Sequence, residues 1–488
     1  MSLRSISLLL TFSLSFFLFA SVPGSAQNLE SRIQNHPTVI HSRQQVKLGD
    51  SAFVIIRNIV LVGNRRTKDA IILRDLGLKS GDTLYYDDAM QVLEDKRQQL
   101  INTSLFLTVN LYFTKWSGQY TDITVEVLER WYTFGFPIFS IADRNFNQWW
   151  VAEKHSLGRV NYGFNFFENN LTGKNDQVIL TVQGGYTEHF ALAYNLPYFD
   201  KSLRSGLGFT AGYSTSKELG YITDSNKLQF FGSPSVVDRQ FSAGITYTYR
   251  KAIRFKHQVS LNYYYNRVAD TIMDLNPSYF PESGPLQRYL ELVYRFSYTG
   301  ADNWAYPLKG FNFYAQINQE GLGFSRGINL TQLYFQTAKY WNIFPSTYLA
   351  LGLRGRVQFP IPQPYFFSSA LGYQEDYLRG LEYYVADGSS FGIFKADLKR
   401  ELFDLHLHFP FLPTQFQTIP FRVFFKLFTD VGSVFNLYPG NSFLNNRLLY
   451  TEGFGIDVVT YYDVRIRLEF SFNQLGQKGL FLHSKSEF

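Results

Sequence analysis

Over residues 464–472 the chain alternates without a break. Val464, Ile466, Leu468, Phe470 and Phe472 take one parity, and Arg465, Arg467, Glu469 and Ser471 take the other. Successive side chains on a strand point to opposite faces, so this segment presents one oily face and one charged face. The same period returns at Phe241, Ala243, Ile245, Tyr247 and Tyr249 against Ser242, Gly244, Thr246, Thr248 and Arg250. It returns again at Leu290, Leu292, Tyr294, Phe296 and Tyr298 against Glu291, Val293, Arg295 and Ser297. Such alternation recurs through roughly the last three quarters of the chain, in segments of about ten residues separated by polar turns, which is the pattern of a transmembrane β-barrel. Counting segments gives about sixteen antiparallel strands, from near Trp131 to a final segment at 480–488. An even count leaves both ends of the barrel on one side of the membrane.

The N-terminal part reads differently. Residues 53–64 form a strand ending at Gly63-Asn64, and 67–76 carry Ala70, Ile71 and Leu73 at helical spacing. Lys79-Ser80-Gly81-Asp82 breaks the helix, and a second follows over 87–102, capped by Asp87 or Asp88, with Ala89, Val92, Leu93, Lys96 and Leu100 on one face. Strands over 106–114 and 122–128 close a β-α-α-β-β unit. The expected organisation is a small α+β domain over 52–130 followed by an all-β barrel over 131–488. Ahead of both, Met1-Ser2-Leu3-Arg4, an apolar run from Ile6 to Phe19 and the small residues Gly24-Ser25-Ala26 read as a secretory signal over 1–26, with a linker over 27–51.

Composition narrows the class. The chain has 48 Phe and 34 Tyr among 488 residues, yet its mean hydropathy is slightly negative. That combination suits a barrel whose polar interior offsets its lipid face. After the signal there is no apolar stretch long enough for a spanning helix, and with no cysteine there is neither a disulfide framework nor a lipid-anchoring thiol. The net charge of +6 is modest and no basic run stands out, so nucleic acid is not an expected partner. Turns expected on the periplasmic side (169–174, 197–202, 461–463) are short, while those opposite (271–286, 432–452) are long. The segment 403–420 breaks this rule unless two strands extend past the membrane.

The segment IRNIVLVGNRRTKDAIILRDLGLKSGDTL, with the element order around it, resembles a POTRA domain, the periplasmic module of the BamA/TamA outer-membrane assembly superfamily. Four stretches of the barrel are similar to the same family. Asn170-Leu171-Thr172-Gly173 resembles its first periplasmic turn, and Leu196-Pro197-Tyr198-Phe199 its Pro-Tyr-Phe turn. Tyr377-Leu378-Arg379-Gly380 resembles the Arg-Gly signature of the sixth extracellular loop, and Phe428-Thr429-Asp430-Val431-Gly432 the Asp-x-Gly at the end of the thirteenth strand. This order of motifs is specific, although each alone is weak.

The resemblance implies that Arg379 folds back into the lumen and pairs with wall carboxylates. A guanidinium suits bidentate pairing in a partly desolvated site, and Gly380 permits a tight turn beside it. Parity supplies the expected partners: Asp430 first, then Asp397 ahead of Glu401. The chain departs from the family in carrying Leu381 where an aromatic usually follows Arg-Gly. The resemblance also implies a seam between the first strand, with Trp131 and Phe134, and the last, with Leu482 and Phe488; Ser484 and Ser486 make that last strand polar. A weakly paired edge accepts a client strand readily.

No catalytic constellation is found: there is no Gly-x-Ser-x-Gly elbow and no cysteine nucleophile, and Leu171-Thr172-Gly173-Lys174 lacks the upstream glycine of a phosphate loop. His406 and His408 share a strand face without a matching third ligand, and Trp149-Trp150 reads as an interface anchor. The expectation is therefore a non-enzymatic outer-membrane protein without metal or cofactor. Its expected partners are outer-membrane lipids, unfolded outer-membrane or exported clients, and periplasmic or lipoprotein accessory subunits. The competing expectations are a dedicated secretion pore, an outer-membrane lipase and a structural subunit of an envelope complex.

Overall fold

The computed structural model describes residues 53–141 and 157–483, apart from 283, 324–326, 362, 374, 414–416, 461 and 463. The expected signal sequence, the linker, Trp149-Trp150, Ser484, Ser486 and Phe488 lie outside the described residues.

The N-terminal unit runs β1 (Phe53–Val62), α1 (Asp69–Leu76), β2 (Thr83–Tyr85), α2 (Tyr86–Ile101), β3 (Phe106–Ser117) and β4 (Tyr120–Glu129). Its sheet order is β2-β1-β4-β3, with β1 parallel to β4 and the other pairs antiparallel. The two helices cover one sheet face, where Ile56, Ile71, Leu76, Leu100, Phe106 and Val125 form a closed apolar core. The strand β2 was not expected, because three residues are too few to display an alternation. Asp87 and Asp88 fall in the first turn of α2 rather than at its cap, which is Tyr85. There they favour the positive end of the helix dipole. Gly77 ends α1 at φ 65°, its N–H bonded to Leu73 O, a left-handed cap that glycine adopts without strain.

The remaining strands form one sixteen-stranded antiparallel sheet in which each strand pairs with its neighbours in sequence. Burial is inverted relative to a soluble sheet. On the fifteenth strand, Arg465–Asn473, Ile466 and Leu468 are 47% and 43% exposed while Glu469 and Ser471 are fully buried. The twelfth, Ser390–His408, exposes Phe394, Leu398 and Leu402 and buries Lys395, Asp397 and Lys399. Only a solvent less polar than the interior makes that arrangement favourable, so the outer parity faces lipid. Among the described residues, no helix is long and apolar enough to cross a membrane, and the crossings are made by strands.

The twelfth and thirteenth strands (Thr418–Phe435) are 19 and 18 residues long, which explains 403–420: both of its ends are strand continued beyond the membrane. The long loops carry structure of their own. A hairpin (Glu218–Asp224 with Lys227–Gly232) and a short helix (Asp270–Leu275) lie on two of them. Two small paired strands (Ser369–Leu371 and Ala386–Asp387) lie within the loop that joins strands eleven and twelve. The first strand, Thr133–Ile141, and the last, Lys478–His483, stand at the two ends of the sheet order, with no ladder between them among the described residues. The first strand instead meets the turn before the fifteenth. The Trp131 N–H donates to the Tyr462 hydroxyl at 3.0 Å, and the Phe134 and Tyr462 rings meet edge-on at 5.5 Å.

Candidate functional site

The loop between strands eleven and twelve dips into the lumen and delivers Arg379, which is fully buried. Its backbone N–H and its Nε each donate to Asp430 Oδ2 at 2.9 Å, and its Nη2 pairs with Asp430 Oδ1. The same Nη2 lies 2.8 Å from Asp397 Oδ1, and Nη1 lies 3.6 Å from Glu469. The guanidinium also sits 4.0 Å from the centre of the Phe428 ring, so it is held by carboxylates at its edge and an aromatic face below.

Local sequence explains this pose. Gly380 takes φ 90° and its carbonyl accepts from Asn473 Nδ2 at 2.8 Å; a Cβ there would meet the Ser471 Cβ at 2.9 Å. Leu378 packs beside Gly432, where a Cβ would leave only 3.1 Å to its methyls. Leu381 is buried in the same apolar cluster, with Phe391, Ile393 and Val434. The residue that departs from the family pattern thus has a packing role of its own.

Other buried charges complete the cluster. Lys426 lies 2.5 Å from Glu469 and 2.9 Å from Asp457, Lys395 3.9 Å from Asp430, and Lys399 3.6 Å from Asp397. Arg467 is 3.7 Å from Glu469. Buried ions are tolerable only when paired in this way. Chemically the arrangement holds a loop and four wall strands in one geometry. It offers no nucleophile beside a base.

Two extensions lead away from the cluster. Toward the seam, His483 on the last strand has Nδ1 2.5 Å from Glu469 and Nε2 3.5 Å from Glu382 of the lumen loop, and Tyr377 stacks on its ring at 5.4 Å. Toward the N-terminal domain, the turn 300–309 tucks Tyr306 under the barrel. Its hydroxyl donates to Asp457 at 2.8 Å, its ring packs 4.9 Å from Phe424, and Lys399 lies 4.5 Å above it. That same turn meets the end of α2: Asn102 Nδ2 donates to Asp302 O at 3.0 Å and Trp304 Nε1 to Ser104 Oγ at 3.2 Å.

The other motif turns carry the N-terminal domain. The Lys68 N–H donates to Gly173 O at 3.0 Å, Asn170 Nδ2 to Thr67 Oγ1 at 2.9 Å, and Arg66 reaches Leu171 O at 3.1 Å and Glu168 at 2.6 Å. Gly173 takes φ 80°, and a Cβ there would stand 2.3 Å from Arg66 O. Tyr132, between domain and barrel, joins this group, and burial pushes its phenol up to about 12, so it stays a donor, to Leu105 O at 3.0 Å. Tyr198 is fully buried against the domain, with the Arg74 guanidinium 4.3 Å over its ring and Arg250 Nη1 donating to its hydroxyl at 2.8 Å. Phe199 is exposed, and Pro197 O lies where a Cβ on Gly206 would approach to 2.6 Å.

No protein-family model matches the chain. Over 128 residues it is 30% identical to the outer membrane protein assembly factor BamA of Neorickettsia risticii, a stretch covering 26% of this chain and 15% of that protein. The likeness is to a BamA assembly factor. It agrees with the resemblance drawn from the motifs. Among solved structures the chain is similar to BamA from Haemophilus ducreyi lacking POTRA domains 1-3, at 15% identity and a TM-score of 0.49, covering 88% of this chain and 83% of that one. It is also similar to CdiB from Acinetobacter baumannii (13% identity, TM-score 0.48, 88% and 73% covered) and CdiB from Escherichia coli (10%, 0.49, 91% and 92%).

Of the BamA-like candidates, Arg379, Asp430 and Asp397 are brought together and Glu401 is not. Glu401 lies four residues beyond Asp397 along the strand, about 13 Å at strand rise, and there it pairs with Arg422 at 2.9 Å. Glu469, Lys426 and Tyr306 were missed. The first two stand on the charged parity of their strands, but nothing in a linear sequence ties the fifteenth strand to an arginine eleven residues before the twelfth. Of the described seam residues, Trp131 and Phe134 meet Tyr462, and Leu482 is an outward residue opposite Leu468.

Proposed function

We propose that this chain is an outer-membrane protein that inserts or translocates other proteins. The N-terminal domain, on the periplasmic side, docks extended client segments, and the seam between the first and last barrel strands releases them into the membrane. The observation that carries this reading is the seam. Among the described residues the last strand, Lys478–His483, forms no ladder with the first, and it is held from inside by Glu382, Glu469 and Tyr377 around His483. A strand edge whose N–H and C=O groups are unpaired is a template for an incoming strand, and hydrocarbon raises the cost of leaving those groups unmet. The buried cluster at Arg379 ties strands twelve to fifteen to the lumen loop, a fixed wall beside the seam. Periplasmic or lipoprotein accessory subunits are part of this proposal as further partners.

The experiment is controlled depletion followed by quantification of the outer-membrane proteome. Broad loss of barrel proteins is expected from an assembler. Loss of one or a few exported proteins instead supports the second reading, a dedicated secretion pore. An unchanged proteome refutes both and leaves a structural role.

A further inference from the structure

We propose that two adjacent periplasmic turns, together with α2, form a binding site for the headgroup of an anionic phospholipid in the inner leaflet of the surrounding membrane. The turns join strands four to five and six to seven, and the Arg250 N–H binds Arg204 O at 2.7 Å, so they lie side by side. Between them they expose Lys201, Arg204, Lys251 and Arg254. Lys96 of α2 comes up from the domain side, its ammonium 3.3 Å from where a Gly77 Cβ would be, with Ile253 of the second turn at the same distance.

Nearby carboxylates are committed elsewhere. Asp200 accepts the backbone N–H groups of Arg204 and Ser205, and Asp75 pairs with Arg74. Burial and then the charge of Arg254 hold Lys96 below the usual lysine range; the repulsion from Arg254 outweighs the attraction of either Asp95 or Asp82. Among the described residues none of the five cations forms an ion pair with a carboxylate.

Position selects the ligand. Directly beyond Arg254, Phe255 starts an outward aromatic belt: its ring lies 4.9 Å from Tyr298, whose ring lies 6.0 Å from Phe311. Aromatic girdles mark the membrane interface, which puts the cations at headgroup depth. Excess positive charge at that depth attracts anionic lipid, by roughly five-fold in affinity for each cation. An acidic peptide would find the same charge but no reason for the adjoining aromatic belt. Because the turns also carry Arg74 and Tyr198 contacts to the domain, a headgroup seated there bears on how the N-terminal domain is held.

This inference rests on the membrane-barrel reading, and the test separates the two. The full chain is reconstituted in vesicles of equal phosphatidylglycerol and phosphatidylcholine, and the lipids it retains are weighed by native mass spectrometry. Wild type is expected to retain phosphatidylglycerol preferentially. K201Q/R204Q and K251Q/R254Q are each expected to lower that preference roughly ten-fold or more, and K227Q/R239Q, on the far side of the barrel, to leave it unchanged. Equal retention by wild type, an unaltered preference in both turn variants, or displacement of the bound lipid by inorganic phosphate or poly-glutamate would overturn the site. Failure of wild type to float with vesicles would instead refute the barrel.

Discussion

Replacing Arg379 with alanine removes the centre of the lumen cluster, and the structure sets the size of the effect. Five cations (Arg379, Lys395, Lys399, Lys426, Arg467) face four carboxylates (Asp397, Asp430, Asp457, Glu469). Arg379→Ala leaves four against four, so net charge is not what is lost. The loss is the fork on Asp430, the contact to Asp397 and the ring contact with Phe428, and each lysine left behind is a point charge that replaces none of these geometries. Breaking a buried pair costs about 3–5 kcal/mol, and the remaining lysines argue for the lower end, about 3 kcal/mol. Asp430→Asn should cost more, about 4–5 kcal/mol, because it leaves five cations against three carboxylates. The assay is the urea midpoint of the folded barrel in detergent micelles, read by heat-modifiable gel mobility. A loss under about 0.5 kcal/mol for Arg379→Ala, the size of an exposed pair, would refute the cluster as a structural lock.

Gly173→Ala places a Cβ against a backbone carbonyl at positive φ, and is expected to loosen the N-terminal domain by about 1–3 kcal/mol, seen as faster tryptic cleavage around Arg66 and Lys68 with an unchanged barrel midpoint. Tyr306→Phe removes a hydrogen bond to the Asp457 side chain and should cost about 2 kcal/mol in the same urea assay; no change would mean the turn 300–309 does not brace Asp457. Burial holds the Asp75 carboxyl above its ordinary value despite Arg74 and Arg250, so the native state binds that proton more tightly than the unfolded chain does. Stability is therefore lost as pH rises from the unfolded value through the folded one. Between pH 4 and 8, hydrogen-exchange protection of α1 relative to an Asp75→Asn variant should fall; a constant ratio would contradict the assignment.

The barrel was legible because its signal is redundant. A two-residue period repeated over sixteen strands survives errors at any one boundary, and the inverted burial of Ile466 and Glu469 is the same alternation seen in space. The lumen cluster was only half legible for a related reason. Parity tells which face a side chain takes but not its depth, so Glu401 stood as a candidate behind Asp397 although two strand repeats separate them. Glu469 required knowing how far the wall curves between the thirteenth and fifteenth strands, which no period records. Tyr306 sits on a turn without periodicity, and β2, at three residues, is too short to repeat an alternation. The motif turns at Gly173 and Tyr198 were visible as stretches of sequence, while their contacts with the N-terminal domain depend on folding residues more than a hundred positions apart.

The seam is tested most directly by locking the contact that now joins the first strand to the far edge of the sheet. Cysteines at Phe134 and Tyr462, whose rings meet at 5.5 Å, joined by a short reducible bis-maleimide, tie the first strand to the turn beside the last hairpin. The measurement is insertion of an outer-membrane client into vesicles carrying the cross-linked protein. Loss of insertion while locked, restored on reduction, is the predicted result. Full insertion by fully cross-linked protein would contradict release through the seam.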